Sequence, residues 1–108
     1  MTTYSRISTG DNNATVVKAT PARLLRVQAS NNNAAARYLK FYNKATAPAP
    51  ATDTPVVRFM IPAAGVLPST SLDIAFSSGL GLAIITGAAD DDNTGAGASE
   101  VLINIDYE

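Results

Sequence analysis

The chain contains no cysteine, no histidine and no tryptophan. Without cysteine there are no disulfide staples and no thiolate chemistry. Without histidine the commonest general base and the commonest metal ligand are both missing. Aromatic residues make up only 6% of the chain, too few to favour a sugar-stacking platform. Charge is also scarce, at 16% Asp, Glu, Lys and Arg against about 25% in ordinary soluble domains. Ala, Thr, Ser, Asn and Gly fill the gap, giving a neutral, short-chained surface suited to packing against other protein. A net charge of −1 offers no general attraction for nucleic acid or anionic lipid. The opening MTTYSRISTG has no basic region followed by an apolar run, so no signal peptide is expected. The longest apolar run, Leu80–Ile85, is far too short to span a bilayer. From these absences we expect no enzyme activity, no cofactor, no nucleic-acid or membrane partner, and synthesis in a cytosol.

What the chain does have is alternation. Its 108 residues suffice for one domain, which buries roughly 65% of the surface its unfolded form exposes. Tyr4–Ser8 reads as a short opening strand, or residues 1–10 as an ordered arm. Ala14–Thr20 is β-branched and extended. Arg23–Ser30 and Arg37–Asn43 alternate on either side of Asn31-Asn32-Asn33, a turn sequence, and together suggest a hairpin. Leu39 and Phe41 take one face of the second strand. Tyr38, Lys40 and Tyr42 take the other, read as a polar outer face rather than a base-stacking platform. Lys44–Pro55 is a loop rich in Ala, Pro and Thr. Val56–Ile61 alternates again, and Pro62–Pro68 reads as an irregular connection. Leu72–Ser77 is half-buried. Leu80–Thr86 lacks alternation, as expected of a strand covered on both faces. Gly87–Ser99 has no evident anchor and reads as a mobile loop. Val101–Tyr107 closes the chain. Seven or eight short strands with no helix define an all-β fold, a single antiparallel β-sandwich that is jelly-roll-like, with an immunoglobulin-like order as the alternative.

The charges segregate along the sequence. Residues 1–60 hold all eight basic residues and two acidic ones, Asp11 and Asp53, a net of +6, while residues 61–108 hold seven acidic residues and no basic one. Either the strands interleave and the charges mix, or the subunit is dipolar and meets an acidic face on a neighbour. Asp90-Asp91-Asp92-Asn93-Thr94-Gly95 is the only dense oxygen cluster. A calcium loop of this type ends in a bidentate Glu at its twelfth position, where Val101 stands, so a solvated acidic tip is expected. Asn13-Ala14-Thr15 matches a glycosylation sequon and is read as a chance match.

Two stretches carry a family likeness. Leu39–Pro48 (LKFYNKATAP) with Thr52–Val56 (TDTPV), and Ser78–Asp90 (SGLGLAIITGAAD), resemble small virion-associated proteins of tailed bacteriophages. The likeness covers about Leu39–Asp92. It implies a structural subunit of the particle, best matched by a capsid decoration (cement) protein that bridges major capsid subunits on the virion surface and forms homo-oligomers, dimers or trimers. The alternatives are a tail, neck or fibre module and an outward-facing glycan- or host-binding sandwich. In the decoration reading, Arg23, Arg26, Arg37, Lys40, Lys44 and Arg58 are candidates for pairing with acidic neighbours, and Pro48 and Pro50 stiffen a contact arm.

Overall fold

A computed structural model describes all 108 residues. Eight strands and no helix are present: β1 (Thr2–Ile7), β2 (Thr15–Lys18), β3 (Ala22–Asn31), β4 (Arg37–Asn43), β5 (Val57–Ile61), β6 (Val66–Phe76), β7 (Leu80–Ile85) and β8 (Val101–Tyr107). They form two four-stranded sheets, ordered β1-β8-β3-β6 and β2-β7-β4-β5. First pairs with last, second with seventh, third with sixth and fourth with fifth, all antiparallel. A long hairpin rolled up on itself gives this order. The expected sandwich is therefore present, and of the two orders left open its order is that of a jelly roll.

Period-two alternation accounts for the layers. Leu24, Val27 and Ala29 of β3, Ile103 and Ile105 of β8, Leu39 and Phe41 of β4, and Leu82 and Ile84 of β7 meet in one core between the sheets. Phe41 and Phe59 pack edge to face, with ring centroids 6.0 Å apart. All six residues of β7 are buried, as its lack of alternation predicts.

Three expectations are corrected. β3 and β4 do not form a hairpin: β3 pairs with β6 and β8, β4 with β5 and β7. Their connection crosses between sheets, held by the buried Asn31, whose Nδ2 donates to the Ala35 carbonyl at 2.9 Å and whose Oδ1 accepts from Asn33 N at 2.9 Å. Secondly, β6 begins at Val66, inside what the sequence presents as irregular. Its register against β3 shifts twice, leaving Pro68-Ser69 and Leu72-Asp73 each opposite one β3 residue. Two bulges and a proline break the alternation that would have revealed the strand. Thirdly, Gly87–Ser99 does have an anchor. Ala96 is buried in the main core, Ala96 N donates to Ile84 O at 3.1 Å, and Thr86 N donates to Thr94 O at 2.8 Å.

The same loop seats against the N-terminal turn. Asn13 takes a left-handed conformation with φ 60°, and its fully buried side chain accepts from Thr9 N at 2.7 Å and donates to Asp11 O at 2.8 Å. A Cβ at Gly95 would collide with the Asp11 carbonyl. Gly95→Ala should therefore destabilise by about 1–3 kcal/mol, read as a lower urea midpoint at unchanged slope.

The sandwich has four edge strands, and each carries a device that discourages strand addition. Arg6 on β1 lies on the inward-facing side of the strand, and its Nε is buried. β2 is four residues long with a register shift. β5 has five residues, with Arg58 exposed. β6 has Pro68 and the two bulges. Contacts with other proteins are left to sheet faces and loops.

Candidate functional site

The rolled topology decides where the charges go. Because early strands pair with late ones, the basic first half lies beside the acidic second half. Arg23 pairs with Asp73 at 2.7 Å, Arg26 with Asp106 at 2.7 Å and Arg37 with Glu100 at 3.0 Å, while Lys44 pairs within the first half, with Asp53 at 2.6 Å. Arg58 grips Asp90 with two nitrogens, Nη2 lying 2.7 Å from Oδ2. Of the two readings of the charge asymmetry, mixing is the outcome. Five of the six basic residues expected to meet a partner thus already hold a carboxylate of their own chain.

The sixth, Lys40, is fully buried. Its Nζ donates to the Ala89 carbonyl at 2.6 Å, and burial lowers its pKa, opposed by Asp92 and Asp90. The face read as polar and outward is thus closed over. Tyr42 is 1% exposed and forms a second, small core with Ala83 and Ile85. Burial pushes its phenol up to about 12, and its hydroxyl has no partner.

Two loops provide the cover. Pro48 and Pro50 are buried rather than projecting. Pro48 Cγ would stand 2.7 Å from a Cβ at Gly81, so the loop lies directly on β7. Asp53 fastens it: its Oδ2 takes Lys44 Nζ at 2.6 Å and Ala49 N at 2.8 Å. From the other side the loop after β7 lays Ala89 and Asp90 over Lys40 and Arg58. Asp90 is engaged by Arg58, Asp92 Oδ1 accepts Thr94 N at 2.8 Å, and no group of three Asp or Glu side chains is gathered at metal-holding spacing.

The outer face of β1-β8-β3-β6 is different, because no loop covers it. It carries three cross-strand rows. At one end Ile7, Leu102 and Val66 are 51, 43 and 58% exposed and line an open groove of about 560 Å³. In the middle Asn104 Nδ2 donates to Gln28 Oε1 at 3.1 Å. At the other end Asp106 accepts from Arg26 Nε at 2.7 Å and Thr3 Oγ1 at 2.8 Å. A smaller open depression of about 330 Å³ lies beyond that end, between Lys18, Arg23, Phe76 and Glu108. The chemistry available on this face is that of a contact surface whose arginines are already paired, Arg26 with Asp106 and Arg23 with Asp73, and whose end carries the exposed, unpaired Glu108. Its apolar row is not evident in the sequence, because Val66 falls in the stretch read as irregular.

The ion pairs give a pH dependence. Arg26 and Thr3 hold the Asp106 carboxyl below its ordinary value; Arg37 does so for Glu100, and Lys44 for Asp53. Each binds its proton less readily folded than unfolded. Their contribution is therefore complete above the ordinary carboxylate range and is lost as pH falls through the lowered folded values. The melting temperature should be flat from neutrality to about pH 5 and fall below it. Asp106→Asn should flatten that fall, measured by calorimetry across pH.

No protein-family model matches the chain, and no curated protein matches it. Among solved structures it is similar to the coat protein of tobacco streak virus, at 11% identity and a TM-score of 0.38, over 96% of this chain and 83% of that one.

Proposed function

We propose that this protein is a non-enzymatic structural subunit of a virus particle, and specifically a decoration (cement) protein on the capsid surface of a tailed phage. The single observation that carries the reading is the bare outer face of β1-β8-β3-β6, its arginines already paired within the chain, on a jelly roll whose edges are guarded and whose other outer face is closed by its own loops. Such a domain is built to be laid flat against protein. The sequence likeness of Leu39–Asp92 to small virion proteins of tailed phages supports the same reading, and jelly rolls recur among capsid proteins.

In this reading the chain bridges major capsid subunits through many shallow contacts, and repetition over a lattice raises their combined strength. Arg23 and Arg58 have side chains 48 and 40% exposed, so their solvent-screened pairs contribute little and are the ones able to exchange Asp73 and Asp90 for a neighbour's carboxylate. A density map of the particle tests the proposal. Hundreds of copies on the shell are expected. A dozen or so copies would move the chain to the tail or neck, and particles lacking it that package fully and resist heat and chelators as well as complete ones would overturn the cement role. Selective binding on a glycan array would instead favour an outward-facing lectin.

A further inference from the structure

We propose that the bare face of β1-β8-β3-β6 is a self-recognition surface, on which two copies of this chain stack face to face about a two-fold axis lying parallel to the strands. This pairing is that of the isolated chain in solution; a shell subunit laid on the same face would displace the second copy, so the two contacts are alternatives and the dimer is tested without the particle.

The face is complementary to its own image. In the sheet order β1-β8-β3-β6, the centre falls between β8 and β3. A two-fold axis in the plane of the interface, running along the strands at that centre, places β8 over the partner copy's β3 and β1 over its β6. It leaves position along the strands unchanged, so each row meets its own image.

Register fixes what each row holds. Ile7 faces Leu102, Leu102 faces Ser30, and Ser30 faces Val66. Stacking puts Ile7 of each copy over Val66 of the other, and the groove between them closes apolar on apolar. Asn104 faces Gln28 in the middle row, and each amide meets the other kind across the interface, donor to acceptor. In the last row Asp106 faces Arg26. These two sit on the central strands next to the axis, so two ion pairs stack with their signs alternating, each carboxylate over a guanidinium. Either alternative fails this matching. A two-fold normal to the sheet makes no face-to-face contact, and an in-plane axis across the strands sets the apolar row on the ionic one. Sheets stacked in this way lie about 10 Å apart with strands nearly aligned.

The face is small. Four strands about 4.8 Å apart and about five residues long present on the order of 400 Å² per copy, below the roughly 800 Å² of a standard stable interface. Association is therefore weak and concentration-dependent, and it gains from being held at high local concentration.

Sedimentation equilibrium of the purified full chain across the micromolar-to-millimolar range tests this. The wild type is expected to pass reversibly from monomer to dimer. Val66→Glu should weaken dimerisation about tenfold or more, equivalent to at least about 1.4 kcal/mol. The double variant Ile7→Lys with Val66→Glu should recover it, because the ammonium introduced on β1 of each copy then meets the carboxylate introduced on β6 of the other. Both positions are more than half exposed, so the fold, checked by circular dichroism, should be unaffected. Within one chain the two residues sit three strands apart, about 14 Å, too far to pair, so recovery reports contact between copies. A wild type that stays monomeric throughout, a dimer indifferent to Val66→Glu, or a double variant as weak as the single one would each overturn the proposal.

Discussion

Deleting Ala47–Thr52 should lower the stability of the isolated domain by about 3–5 kcal/mol, a large part of the 5–15 kcal/mol that a domain of this size holds. The sequence presents this loop as a stiff contact arm, and the structure instead packs it onto the domain. Pro48 and Pro50 are buried, and Pro48 occupies the space over Gly81 that any side chain there would fill. Removing them uncovers Tyr42, now 1% exposed, and Ala83 beside it. A tyrosine buries roughly 150–250 Å², and at about 25 cal/mol per Å² its exposure alone accounts for most of the loss. The deletion also removes the Ala49 amide that Asp53 accepts from. Urea unfolding of the purified domain measures the effect, and Pro48→Ala should give a smaller loss of about 1 kcal/mol. A deletion variant with an unchanged midpoint would return the loop to the role of a free arm.

The same loop shows where sequence reasoning reaches and where it stops. Strands with unbroken alternation are legible to within a residue or two. β4 and β8 stand where Arg37–Asn43 and Val101–Tyr107 place them, because period two is a local signal set by backbone geometry. β6 reads short in the sequence because Pro68 and two bulges destroy that period while leaving the strand intact. The burial of Lys40 and Tyr42 is invisible for another reason. Their faces point away from the main core, and what covers them comes from loops up to about fifty residues further along the chain. Alternation reports that two faces differ, not which loop will close over the second. The pairing of the charges is half legible. The separation into a basic half and an acidic half is plain in the sequence, but its meaning depends on strand order. Only once the third strand pairs with the last does Arg26 stand beside Asp106, eighty residues on.

Lys40→Glu should be the most damaging single substitution of a charged residue in this chain, and Lys40→Met nearly harmless. Lys40 is fully buried under Ala89–Asp92, with its ammonium on the Ala89 carbonyl at 2.6 Å. A carboxylate in that slot would lose the hydrogen bond, face a carbonyl oxygen it repels, and sit among Asp90, Asp91 and Asp92, all of which now act on Lys40 as opposite charges. An uncompensated buried charge of this kind destabilises by about 3–5 kcal/mol or more, so Lys40→Glu should melt far below the wild type or fail to fold. Methionine keeps the length of the side chain and removes the charge. It loses one hydrogen bond, worth about 1.5–3 kcal/mol when a charged group makes it, but also removes the desolvation burden that now depresses the lysine pKa. The two effects oppose each other, and the net change should stay within about 1.5 kcal/mol. The contrast separates two accounts of Lys40. If its purpose is to fill the space beneath the acidic loop, methionine suffices. If its bond to Ala89 is what holds Asp90 in reach of Arg58, Lys40→Met should be as unstable as Arg58→Met and protease cleavage should appear within Gly87–Ser99. Thermal melts of the three variants, with limited proteolysis, decide between them, and equal losses for Lys40→Met and Lys40→Glu would show that burial of charge is not what governs this site.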